Sequence, residues 1–337
     1  MKSQQPGGEP THKKALLIVN PTAGHSGFGN LTARSSQNDV SGSGKAGELH
    51  DLITSAFHEI SYDLIVTQRR GDAERAANEA AVSQSYGSVI VAGGDGTVNE
   101  VANGLLTGAA SMSTSKDASV TSPIPLGIVP IGTQNVLASE LGMQPGNIRD
   151  AAAAVISGHT RTIDVGEISG RYFVLMAGFG FDAVVVRDVQ KPIKELVGPA
   201  AYAFATLSAI TKYNSTAMSI VLDDEPISTR AFLLVVANAA SYAYHQVKMA
   251  PFASLDDGWL DICVFEKPPT DRFGFATQVA ALFAGRHLRD PRVRYYRART
   301  IAINSLPPVA VQLDGDPFGT TPVSISVCPR ALRVFAP

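Results

Sequence analysis

Residues 93–100, Gly93-Gly94-Asp95-Gly96-Thr97-Val98-Asn99-Glu100, follow the apolar run Val89-Ile90-Val91 and lead into a stretch of helical periodicity. Strand, glycine-rich turn and helix, in that order, form the unit by which a parallel sheet presents a helix N-terminus to an anion. Glycines there admit positive φ and let a phosphate approach the backbone, and the free N–H groups near Thr97 favour negative charge. A carboxylate inside such a cradle would repel its ligand. Asp95 therefore makes sense facing Mg²⁺, directly or through water. The plainer alternative is a glycine-rich turn in which Asp95 caps a helix.

The same alternation holds outward from this unit. Ala15–Val19 reads as a first strand, Leu49–Ile60 as a helix from the spacing of its apolar residues, and Leu64-Ile65-Val66 as a second strand. Asp72 can cap an Ala-rich helix, and a helix over about Val98–Leu106 follows the third strand. Leu126–Ile131 gives a fourth strand and Val136–Leu141 a further helix. The Ser/Gly/Thr-rich insertions Gly27–Gly44 and Thr107–Ser122 read as mobile loops. From about Arg161 the texture changes to short β-rich runs, among them Tyr172–Met176, Ala231–Val236, Leu260–Phe265, Val309–Leu313 and Val323–Val327. Helical patterns interrupt them near Pro199–Lys212 and Asp271–Ala284. The expected fold class is α/β in two domains, an N-terminal α/β domain followed by a mainly antiparallel β domain, with the boundary near residues 145–160.

Composition narrows the function. With 337 residues, a net charge of −2 and 17% charged residues, the chain fits neither a disordered acidic protein nor a basic nucleic-acid binder. Met1–Lys14 has no apolar signal-peptide core, and no apolar run reaches the ~20 residues that span a bilayer. Cys263 and Cys328 sit in apolar runs without CxxC spacing and read as core thiols, so a reducing cytoplasm is the expected location.

Two further loops stand at strand ends. Asn20-Pro21-Thr22-Ala23-Gly24 follows the first strand but holds no Lys, and Gly44-Lys45 lacks the flanking residues of a Walker A loop. Pro130-Ile131-Gly132-Thr133-Gln134-Asn135 repeats the strand, glycine turn and helix pattern, with Thr133 open to a capping or a ligand role. Loops at successive strand ends converge on one crevice in an open parallel sheet. Gly178-Phe179-Gly180-Phe181-Asp182-Ala183 satisfies a dinucleotide fingerprint, but no strand with an acidic residue follows at the required distance. Arg286, Arg289, Arg292, Arg294, Arg297 and Arg299, interleaved with Tyr295 and Tyr296, read either as a solvated strand face or as a surface for anionic lipid.

The ordered set Asn20–Gly24, Gly93–Glu100, Pro130–Asn135 and Leu313-Asp314-Gly315-Asp316 resembles the diacylglycerol kinase catalytic-domain family, especially its bacterial lipid kinases, with sphingosine and NAD kinases as distant kin. The resemblance covers nearly the whole chain from Ala15 and implies an NAD kinase-like nucleotide domain (residues 14–150) joined to a β-sandwich domain (160–325). Residues 326–337 are expected to return to the first domain. It implies an ATP- and Mg²⁺-dependent lipid kinase. ATP would be held by Asn20, Pro21, Thr22, Ala23, Gly24, Thr67, Gly94, Asp95, Gly96, Thr97, Asn99, Glu100 and Thr133. Asp95 would act through Mg²⁺. Asp316 stands where the family's general base is Glu, one methylene longer. By the same resemblance Ser254, Asp257 and Trp259 would hold a second, structural Mg²⁺ through one carboxylate and two backbone carbonyls, whereas an Asp-Gly turn without metal is the plainer reading. The implied partner is a lipid substrate met at a membrane surface, peripherally on the inner face of the cell membrane. No nucleic acid is implied, and a homodimer is compatible with the sequence. An NAD kinase and a non-catalytic lipid or nucleotide sensor are the rival readings.

Overall fold

The computed structural model describes residues 13–23, 52–112, 121–181, 183, 215–242, 244–266, 281–282 and 284–337. The expected loop Gly27–Gly44, the helical pattern Pro199–Lys212 and most of Asp271–Ala284 lie outside them.

Four parallel strands, β1 (Ala15–Val19), β2 (Tyr62–Val66), β3 (Ser88–Gly93) and β4 (Leu126–Pro130), lie in the order β2-β1-β3-β4. Every residue of β1, β3 and β4 is buried, and in β1 the alternate residues Leu16 and Ile18 enter one core while Ala15, Leu17 and Val19 enter another. Burial on both faces is what a parallel sheet covered by helices on each side requires.

On the first face lie α1 (Asp72–Ser83) and α2 (Asp95–Met112), in contact along the buried alanines 73, 76, 77, 80 and 81 of α1. A Cβ on Gly104 would stand 2.2 Å from the Glu74 carbonyl oxygen, so the two backbones approach too closely for any side chain there. The short helix α3 (Val136–Glu140) follows β4. Next, α4 (Ile148–Ser157) packs Ile148, Ala151, Ala152 and Val155 into the second core. Most of the 145–160 stretch is thus helical, with Asn147 accepting the Asp150 N–H at its start and Gly158 in left-handed geometry at its end. The expected loop from Thr107 also shrinks, because α2 runs to Met112.

The second half is an antiparallel array that includes β5 (Thr160–Ile168), β7 (Met176–Gly180), β8 (Thr216–Leu222), β9 (Glu225–Ala237), β12 (Leu260–Glu266), β13 (Val293–Ala298), β14 (Thr300–Leu306), β15 (Ala310–Leu313) and β16 (Asp316–Thr320). The last strand, β17 (Val323–Phe335), pairs antiparallel with β14 and β5 and, at Val334, parallel with Leu126 of β4. The C-terminal strand thus connects the two arrays. Helix α2 is tied to the second array by Asn103, whose side chain exchanges hydrogen bonds with the Tyr172 N–H and carbonyl, each at 2.9 Å. Among the described residues no helix is long and apolar enough to cross a membrane.

Candidate active site

At the carboxyl ends of β1, β2, β3 and β4 a cavity of about 440 Å³ is lined by Asn20, Thr22, Ala23, Thr67, Gly94, Gly96, Thr97, Glu100, Thr133 and Asp316, together with Gln68, Arg69, Arg70 and Gly132. The ends of parallel strands are where open α/β sheets bind ligands. Asn20 organises the first loop, accepting the Thr22 N–H at 3.0 Å and the Thr22 hydroxyl at 2.9 Å while donating to Thr97 Oγ1 at 2.8 Å. Thr67 is fixed by its N–H to the Val19 carbonyl at 2.9 Å.

Gly93 and Gly132 serve close approach rather than positive φ, whereas a Cβ on Gly96 would meet nothing within 4 Å. Gly93, Gly94, Gly96 and Gly132 are absent from the positive-φ residues. A Cβ on Gly132 would fall 2.4 Å from Gly94 Cα, and one on Gly93 2.8 Å from Thr97 Cβ. The two loops therefore touch backbone to backbone, and Asn135 locks the second by accepting the Gly132 N–H (2.9 Å) and donating to the Gly132 carbonyl (2.8 Å).

Several expected ligands are placed elsewhere. Asp95 does not line the cavity: its Oδ1 accepts the Leu137 N–H at 3.3 Å, at the start of α3. Burial raises its carboxyl above the ordinary value, with the N–H groups of Leu137, Val136 and Asn135 pulling the other way. The Asp95 carboxylate thus lies against the first N–H groups of α3 rather than capping the helix that begins with it. Pro21 is buried away from the lining, and Gly24 lies outside the described residues. Asn99 is likewise buried, and its amide donates to Asp314 Oδ2 at 2.7 Å.

That contact explains how Asp316 reaches the cavity. Asp314 and Gly315 have φ of 47° and 89°, the two-residue turn that joins β15 to β16. Asp314 accepts the N–H groups of Val174 (2.7 Å), Leu175 (2.9 Å) and Met176 (2.8 Å) besides the Asn99 amide. The hairpin is thereby anchored to both arrays, and Asp316 two residues on faces the cavity with Arg70 Nη2 2.9 Å from its Oδ2. Arg69 and Arg70, overlooked in the sequence, follow β2 after Thr67 and Gln68. Their signal was position, two cations between a strand end and the left-handed Gly71.

Burial pushes the Asp314 carboxyl up to about 6 against its four donors. Protonation replaces one acceptor by an O–H donor, so activity is expected to fall as pH drops through about 6. The stability sign is opposite: a carboxyl whose folded value exceeds its unfolded one of 3.8 takes up its proton first in the folded state, so its contribution to stability grows between pH 6 and 4. Initial rates and melting temperatures over pH 4.5–7.5 check this. Parallel loss of both would contradict it.

The expected structural Mg²⁺ ligands Ser254, Asp257 and Trp259 lie apart from the cavity, on the loop that leads into β12. Asp257 Oδ1 accepts the Trp259 N–H at 3.1 Å and its Oδ2 accepts from Arg297. Arg297, the cross-strand partner of Asp261, also places Nε 3.4 Å from the buried Asp261 Oδ1. Ser254 Oγ donates to Asp256. Arg297 is thus the cationic side chain that faces both Asp257 and Asp261 at this loop. Arg297→Gln is expected to lower stability by about 1–2 kcal/mol by leaving the buried Asp261 without its counter-ion. Millimolar Mg²⁺ should then raise the melting temperature of the variant and leave that of the wild type unchanged. An equal Mg²⁺ response in both proteins would show that Arg297 does not take the ion's place.

Elsewhere in the arginine run, Arg292 pairs with Asp290 (2.7 Å) and Arg294 with Glu266 (2.8 Å), so much of its charge is compensated locally. Arg299 lies over the Trp259 ring, 4.5 Å from its centroid.

A crevice at the ends of parallel strands, with small-residue loops and one carboxylate delivered by a distant hairpin, is the arrangement of a phosphoryl-transfer enzyme. Comparison with known proteins agrees. Residues 33–168 match the diacylglycerol kinase catalytic domain and residues 176–336 the YegS C-terminal NAD kinase beta sandwich-like domain. The chain is 30% identical to a diacylglycerol kinase of Bacillus subtilis over 327 residues, covering 96% of this chain and 97% of the relative. It is 30% identical to the diacylglycerol kinase of Staphylococcus saprophyticus over 96% of each chain. A diacylglycerol kinase crystal structure from Bacillus anthracis superposes with a TM-score of 0.69 at 25% identity, covering 98% of this chain and 99% of that one. The chain belongs to the diacylglycerol kinase family of lipid kinases.

Proposed function

We propose that the protein transfers the γ-phosphoryl group of ATP to the hydroxyl of diacylglycerol or a related long-chain lipid, with Mg²⁺ accompanying the triphosphate. The observation that carries this is the convergence of the Asn20, Thr67, Gly94–Thr97 and Thr133 loops with Asp316 on one cavity. Hydroxyl and backbone donors line the side where a triphosphate enters, and Thr97 sits in the first turn of α2, whose N-terminus favours anions.

Asp316 accepts the hydroxyl proton as the lipid oxygen bonds to phosphorus. The bond from phosphorus to the bridging oxygen breaks, and ADP leaves with the electron pair. Glu100, with the threonine hydroxyls, supplies the hard oxygen donors that suit Mg²⁺. When bound, the ion neutralises phosphate charge. Asn99 and Asp314 act by positioning, since they fix the hairpin on which Asp316 stands. The acceptor reaches the site by peripheral contact with a lipid surface. ADP release with diacylglycerol micelles, sphingosine micelles or NAD as sole acceptor tests the reading. Turnover with a lipid and none with NAD is expected, and turnover with NAD alone would overturn it.

A further inference from the structure

Among the residues lining the cavity the cationic side chains are Arg69 and Arg70, set against Glu100 and Asp316. A triphosphate brings several negative charges, and the glycine-rich loops contribute only backbone dipoles to offset them. Arg69 leans away towards Asp72, with Nε 3.6 Å from Oδ1. Arg70 instead spans the mouth to Asp316 Oδ2 at 2.9 Å, with its side chain 62% exposed and able to swing. The left-handed Gly71, φ 87°, fixes where Arg70 leaves the chain.

While Arg70 holds that oxygen, the oxygen is not open to a substrate hydroxyl. Arg70 and a substrate hydroxyl therefore compete for Oδ2 in the nucleotide-free protein, with Oδ1 alone left outside the pair. Resting on the nucleotide reading of the cavity, we propose that Arg70 is a catalytic residue that exchanges Asp316 for the γ-phosphoryl oxygens of bound ATP. The exchange frees Asp316 to take the hydroxyl proton and places a forked guanidinium on the group being transferred. The chemistry of transfer is unchanged: Arg70 gives up no proton and forms no covalent bond. Arrival of the γ-phosphoryl group and readiness of the base thus become one event, whereas ADP, lacking that group, leaves the pair closed.

The test is equilibrium binding of the β,γ-imido analogue of ATP and of ADP, both with Mg²⁺, to wild type, Arg70→Gln, Arg70→Lys and Asp316→Asn. Arg70→Gln should weaken the imido analogue about 10- to 100-fold, the range of a lost charge-assisted contact, and shift ADP less than 3-fold. Arg70→Lys should recover part of the loss by keeping the charge without the fork. Asp316→Asn should tighten the analogue about 2- to 5-fold, an effect that vanishes in the Arg70→Gln background. Equal weakening of both nucleotides, or none, would overturn the role of Arg70 while the nucleotide site stands. Failure of the wild type to bind either nucleotide would overturn the nucleotide reading and this inference with it.

Discussion

Asp316→Asn is expected to lower kcat about 10²- to 10⁴-fold, the usual contribution of a positioned proton acceptor, with no loss of melting temperature. The carboxylate is one-third exposed in the cavity and its charge partner is the exposed Arg70, so little of the fold depends on it. Asp316→Glu restores the longer side chain of the family and should keep or raise activity. The position of Asp316 at the start of β16, paired with Leu313 across the turn, sets where either carboxylate can stand. A misplacement of about 1 Å can cost on the order of 10²-fold, so the pair of variants reports whether the hairpin has adjusted to the shorter residue. Retention of more than about a tenth of the wild-type rate by the Asn variant would remove Asp316 from proton transfer.

Asp314→Ala should have the larger effect on the whole molecule. It strips one acceptor from four donors, three of them backbone N–H groups of residues 174–176, at a half-buried position. Buried donors left without partners cost about 1–3 kcal/mol each, and partial relaxation brings the expected loss to about 3–5 kcal/mol. Activity should fall further than stability explains, because the hairpin that carries Asp316 loses its anchor to Asn99. Denaturant unfolding and rates at a temperature where the variant remains folded separate the two effects. A folded variant with wild-type kcat would show that the anchor does not position the base.

Gly93–Glu100 and Pro130–Asn135 were legible because each is local: an apolar strand, a small-residue turn and a helix start lie within a dozen residues, and their convergence follows from the parallel order of the strands. The orientation of Asp95 was not, since it depends on the N–H groups of Asn135–Leu137, some forty residues later. Asn99 lies in the same motif as the cavity residues but on the buried side of α2, where its partner is 215 residues away. Arg70 drew no reading from the sequence because its partner Asp316 comes from the far end of the chain. Arg297 was read as one of a run, whereas the antiparallel register places it opposite Asp261 and within reach of Asp257. No helix was read over 148–157, where Ile148, Ala151, Ala152 and Val155 are buried against a surface that β4 offers and that the segment itself does not show. Local chemistry was readable, and the direction of each side chain was decided by segments distant in sequence.

The central claim is that this cavity moves a phosphoryl group from ATP to a lipid hydroxyl. Its most direct measurement is incubation of the purified chain with ATP labelled at the γ-phosphorus and diacylglycerol in mixed micelles, followed by identification of the labelled lipid by mass, with Asp316→Asn in parallel. The account predicts label on the lipid as a phosphomonoester at its free hydroxyl, and its near absence with the variant. Label released only as inorganic phosphate, or equal transfer by both proteins, would contradict it.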